Sequence, residues 1–85
     1  MAIVFIPPQL RQLTGADQVE VGGGTVRAVI DQLELRHPGV RERLIEEGEL
    51  SPALQLSVGH VMTRLLSTKI ASTTEVHFLP VIGGG

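Results

Sequence analysis

Residues 18–39 read Gln18-Val19-Glu20-Val21-Gly22-Gly23-Gly24-Thr25-Val26-Arg27-Ala28-Val29-Ile30-Asp31-Gln32-Leu33-Glu34-Leu35-Arg36-His37-Pro38-Gly39, and within them the apolar pattern changes period. Gln18 to Val21 alternates polar and apolar, the mark of a half-buried strand. Gly22-Gly23-Gly24 breaks that strand. Thr25 then offers a hydroxyl to a free N–H of a first helical turn. Val26, Val29, Ile30 and Leu33 follow at i, i+3, i+4 and i+7, one stripe of a helix. Arg27, Asp31, Gln32 and Glu34 fall on the other side. Arg36 and His37 sit at the negative end of the helix dipole, and Pro38 stops the helix. One strand thus leads directly into one amphipathic helix.

Upstream, Ala2 to Ile6 is an apolar run closed by Pro7-Pro8 and reads as a buried strand. Gln9 to Asp17 is polar, contains Gly15 and reads as a connection. The two strands are close in sequence and predict an antiparallel hairpin with a longer loop. Downstream, Val40 to Glu49 reads as a short second helix with Leu44 and Ile45 facing inward, ended by Gly48. Leu54 to Val58 alternates as a third strand, and Val61 to Leu65 reads as a short fourth after a turn at Gly59. Leu66 to Thr74 is rich in Ser and Thr and reads as loop. Glu75 to Leu79 is the last strand. The order ββαβ(β)β interleaves helix and strand once, so the expected class is α+β. A mixed four- or five-stranded sheet carries one main helix, with a domain over residues 1–80 and a flexible tail over residues 81–85.

The 85 residues suffice for one domain with a small core; a chain of this length buries only ~60–65% of its unfolded surface. Two Phe and no Tyr or Trp leave Val, Leu and Ile to fill the interior. The lack of cysteine excludes disulfides, thiolate metal sites and thiol nucleophiles, including any cysteine persulfide. The net charge of −2 with scattered basic residues argues against nucleic acid or a membrane surface as partner. No apolar run is long enough to span a bilayer. Met1 to Ile6 lacks a positive n-region and meets prolines at once, so a signal peptide is not expected and the cytoplasm is the expected location.

Other signals carry less chemistry. Gly22-Gly23-Gly24-Thr25 at a helix start lacks the lysine and spacing of a phosphate-binding loop, and reads as turn plus cap. His37, His60 and His77 are far apart without converging carboxylates, so no metal is expected. Glu46, Glu47 and Glu49 form a solvated acidic face. No Ser/His/Asp arrangement stands at informative spacing.

The end of the chain is more telling. Gly83-Gly84-Gly85 follows the last strand and Pro80. Glycine lacks a Cβ and has the widest backbone freedom, so such a run is a thin tether tipped by an uncrowded carboxylate. This suits an end that is threaded into another enzyme's active site. If Val4 and Ile6 face the core, alternation places Ile3 and Phe5 on the opposite sheet face, with His77 and Leu79 opposite Val76 and Phe78. Apolar residues there, beside the tail, read as a partner patch.

Taken together, these features resemble the ubiquitin-like β-grasp fold, and within it the MoaD/ThiS group of prokaryotic sulfur carriers. The resemblance rests on Ile6-Pro7-Pro8, Leu10-Arg11 and Thr14-Gly15 near the start, on Thr25-Val26, and on Leu33 through His37-Pro38-Gly39. It is strongest in Phe78-Leu79-Pro80-Val81-Ile82-Gly83-Gly84-Gly85, where three residues separate a proline from the closing pair Gly84-Gly85. The chain departs from the family pattern at Val58-Gly59-His60 and at Ser72-Thr73-Thr74, where an Asn-containing turn and an acidic-glycine turn are usual.

The resemblance implies a carrier and not an enzyme. An E1-like adenylating sulfurtransferase partner would spend ATP to activate the carboxylate of Gly85, and a sulfur donor would convert it to a thiocarboxylate. The chain itself would bind no cofactor. Gly84 would pass through the narrowest part of the partner's channel, with Phe5, His77, Leu79, Pro80, Val81, Ile82 and Gly83 against the partner. The sulfur would go to a biosynthetic enzyme. The opening residues favour cysteine synthesis, with the small-subunit role in molybdopterin synthase (molybdenum cofactor biosynthesis) next. A ubiquitin-like modifier that forms isopeptide bonds shares the same tail chemistry and is the alternative.

Overall fold

The computed structural model describes residues 1–81. In chain order its elements are strand β1 (Ala2–Phe5), a 3-10 turn (Pro8–Leu10) running into helix α1 (Arg11–Thr14), β2 (Gln18–Val21), α2 (Val26–Arg36), α3 (Val40–Leu44), β3 (Ile45–Glu46), β4 (Glu49–Leu50), β5 (Leu54–Val58), β6 (Val61–Thr63) and β7 (Glu75–Pro80). Among these residues β2-β1-β7-β5-β6 form one mixed five-stranded sheet, and β3-β4 form a separate hairpin. Neighbours in the large sheet run antiparallel except the central pair β1 and β7, which is parallel.

Helix α2 lies across one face of this sheet as the sequence pattern requires. The Thr25 hydroxyl accepts from the Ala28 N–H at 3.2 Å, and the last turn closes at His37, directly before Pro38. Val26, Val29, Ile30 and Leu33 are all fully buried and join Val4, Leu56, Val76 and Phe78 in a single core. Each such aliphatic side chain contributes ~1.5–3 kcal/mol of burial free energy, so this stripe holds the helix in place. The preceding turn admits that packing only because residue 23 is glycine. Gly23 has φ +144°, and a Cβ there would lie 2.9 Å from the Val29 amide nitrogen.

Three local expectations are corrected. Gln9 to Asp17 is not a plain connection: Pro8 opens a 3-10 turn that continues as α1, burying Leu10 and Thr14. Proline suits the first helical position because its missing N–H has no partner to lose there. The helix expected over Val40 to Glu49 ends at Leu44, and the chain turns back as the β3-β4 hairpin. Glu47 and Gly48 have φ of 54° and 81°, the pair of positive angles that a two-residue hairpin turn demands. The strand expected over Val61 to Leu65 ends at Thr63.

The core face of the sheet alternates with an outer face, and the register aligns residues across it. Val4 pairs with Val76 and Val76 with Val58 on the core side. Phe5 pairs with His77, His77 with Ser57, and Ser57 with Met62 on the outer side. The turn before β7 places Thr73 at φ 69°, with its N–H donating to the Met1 carbonyl at 3.0 Å.

Candidate functional site

The candidate site is the outer sheet face together with the end of β7, which leads toward the glycines. Phe5 and Ile3 project from β1, and His77 and Leu79 from β7, as the alternation requires. Phe5 and His77 are stacked, with ring centroids 4.1 Å apart and planes within 6°. The His77 Nε2 lies 3.1 Å from Glu75 Oε1, two residues back on the same strand and face. Ile3, Phe5 and His77 are half-buried and not freely exposed, and the stack covers part of Phe5 and of His77. Leu79 is 42% exposed and Val81 39%.

Pro80 occupies the last position of β7. The Val81 N–H donates to the Ala53 carbonyl at 3.0 Å, and the Gly59 N–H donates to the Glu75 carbonyl at 2.8 Å. Antiparallel pairs alternate between bonded and non-bonded, so Leu54 opposite Pro80 is a non-bonded pair. A proline at that position costs the ladder no donor on the β5 side. Leu79, Pro80 and Val81 thus form the exposed end of the central strand, at one edge of the outer face. Ile82, Gly83, Gly84 and Gly85, expected to complete the reactive tail, lie outside the described residues.

Sequence reading missed two residues at this edge. Met62 is 58% exposed, on the outer face beside Ser57, and Arg64 follows the end of β6. With Gln55, Thr63 and Val81 they line a groove of 420 Å³. Their place depends on the β5-β6 register, which no local pattern announces. Glu46, Glu47 and Glu49 are exposed, and among the described residues no three His, Cys, Asp or Glu side chains converge on a metal position. Among them, too, no helix is long and apolar enough to cross a membrane.

The arrangement offers an apolar, partly aromatic sheet face and a strand that ends at its rim.

Comparison with known proteins gives consistent results. The ThiS family profile matches residues 4–85. The sulfur carrier protein CysO of Mycobacterium tuberculosis is 36% identical over 89 aligned positions, covering 96% of each chain. The crystal structure of that organism's CysO, described as an antigen, superposes with a TM-score of 0.91 at 34% identity, over 96% of this chain and 100% of the other. CysO from the Amycolatopsis orientalis BexX/CysO complex superposes with the same TM-score at 31% identity, over 100% of both chains. The ubiquitin-like β-grasp architecture follows from these superpositions.

Proposed function

The chain belongs to the ThiS family, and on that premise we propose that it is a sulfur carrier protein whose reactive group is the main-chain carboxylate of Gly85. The observation that carries this reading is that the family match runs through residue 85, the glycine end included. The likeness to proteins named sulfur carrier supports the same function.

A carboxylate is a poor electrophile at neutral pH, so the end must be activated. An E1-like partner uses ATP: the Gly85 carboxylate attacks the α-phosphorus, pyrophosphate leaves, and an acyl adenylate forms. A sulfur nucleophile then attacks the acyl carbon and AMP leaves, so that one oxygen of the terminal group is exchanged for sulfur. The thiocarboxylate passes its sulfur to a biosynthetic enzyme, for which cysteine synthesis is the proposed pathway. The chain contributes no catalytic group and holds no cofactor. Its role is to be recognised through the outer face around Phe5, His77 and Leu79, and to present its end. A relative solved in complex with a second protein fits this division of labour.

Intact-mass spectrometry of the protein isolated from its own cells tests the reading. The expected result is a population heavier by one sulfur-for-oxygen exchange, which shifts to a still heavier S-alkyl thioester on treatment with an alkylating agent. Higher-mass conjugates on a denaturing gel, with no sulfur-bearing free chain, would replace the carrier by the modifier.

A further inference from the structure

Immediately after β6 the ladder beside β5 is continued by a side chain. The Arg64 guanidinium donates to three main-chain carbonyls: Nη1 to Leu54 at 2.7 Å, and Nη2 to Ser51 at 3.1 Å and Leu50 at 3.2 Å. These carbonyls bracket the turn Ser51-Pro52-Ala53-Leu54, which is closed by the Leu54 N–H donating to Ser51 at 3.0 Å. Proline at its second position fixes the backbone entry to that turn. Ala53, the third residue of the turn, supplies the carbonyl that holds the Val81 N–H. Arg64 and Val81 also line the same groove.

We propose that Arg64 is a positioning residue for the C-terminal tail, acting through the 51–54 turn to fix the peptide of Val81, which precedes the proposed reactive end in sequence. The planar fork of arginine suits this task, because several donors in fixed geometry engage several carbonyls at once, which a lysine ammonium does not reproduce. On the side away from β7, β5 has no strand partner at Leu54, since β6 ends at Thr63 opposite Leu56. Without Arg64 the Leu54 carbonyl turns to water, and the turn loses its link to the sheet on that side. The Ala53 carbonyl then wanders, and with it the origin of the tail. Positioning within a fraction of an ångström matters to the rate of a group-transfer step far more than to binding.

The inference rests on the carrier reading for its functional half only. Hydrogen exchange on the full chain tests the structural half. Arg64→Met keeps the aliphatic stem and removes the fork; it is expected to raise the exchange rate of the Val81 amide about tenfold, with the central amides of Val4 and Val76 unchanged. Adenylation kinetics with the cognate activating enzyme, read by ATP–pyrophosphate exchange, test the functional half. The expected pattern for Arg64→Met is a fall in kcat of about fivefold to tenfold with KM within about twofold, and for Arg64→Lys an incomplete rescue. An unchanged Val81 exchange rate overturns the proposal. So does faster exchange accompanied by a normal kcat, or a loss confined to KM. If the native chain is itself never adenylated, the carrier reading fails, and the exchange data alone still decide whether Arg64 anchors Val81.

Discussion

The phenyl ring of Phe5 lies flat against the imidazole of His77, 4.1 Å between centroids, joining the two central strands on the face turned away from the helix. A stack of this kind contributes ~0.5–1.5 kcal/mol beyond simple burial. It also keeps an apolar surface flat and rigid, which lowers the ordering cost of docking.

Disrupting this pair separates folding from recognition. Phe5→Ala and His77→Ala combined in a double-mutant cycle are expected to show a coupling of ~0.5–1.5 kcal/mol in denaturant unfolding. Phe5→Asp, read by calorimetric titration, is expected to weaken the complex with the activating partner at least tenfold, or ~1.4 kcal/mol. An unchanged affinity would remove this face from the partner interface.

The terminal glycines are expected to act in chemistry and not in stability. Deleting Gly85 retracts the carboxylate by ~3.3–3.6 Å. Gly84→Ala adds a Cβ and restricts φ where the chain is proposed to thread a narrow channel. Both changes should abolish adenylation while leaving the thermal midpoint within error of the native chain. Normal adenylation of either variant would relocate the reactive group.

Thr73 carries a backbone cost. Its φ of 69° is a left-handed angle for a β-branched residue, held by the bond from its N–H to the Met1 carbonyl. A left-handed conformation costs an L-residue ~1–2 kcal/mol, which glycine avoids. Thr73→Gly is therefore expected to raise stability by about 1 kcal/mol, less the entropy glycine adds to the unfolded chain. A destabilised variant in denaturant titration would mean that the threonine side chain compensates the strain.

Glu34 links α2 to the start of α3, its carboxylate accepting from the N–H groups of Arg41 at 2.9 Å and Gly39 at 3.2 Å. These bonds, that of Arg41 foremost, hold its pKa below the ordinary glutamate value. The unfolded chain then binds this proton more readily than the folded one, so the contribution is complete above the ordinary value. It fades as pH falls through the lowered native value. The difference in melting temperature between the native chain and Glu34→Gln should follow that course. A difference that grows on acidification would assign the effect to another group.

The parts of this molecule read correctly from sequence are those in which one pattern decides one element. Thr25 through Pro38 fixed its own cap, stripe and stop, and the alternation in Glu75 to Leu79 placed His77 and Phe78 on opposite faces. The misread parts are short segments governed by a turn or a register. Val40 to Glu49 is helical by propensity, yet Glu47-Gly48 reverses the chain through two positive φ angles. Glutamate at the first of those positions is not the Asn or Asp that usually announces such a turn. Met62 and Arg64 came to the site through the β5-β6 register, and three carbonyls from residues 50–54 meet Arg64 only in three dimensions. Tertiary pairing, not local preference, put them there.

The middle of the sheet joins strands far apart in sequence, with Ile3 opposite Glu75 and Phe5 opposite His77. During synthesis β1 must wait beside an empty place until β7 has left the ribosome, and the distant contacts form late. A translation product cut short before residue 75 therefore lacks its central strand and exposes the inner faces of both neighbours to proteases. The sheet is in this way shielded from proteolysis only once β7 is in place.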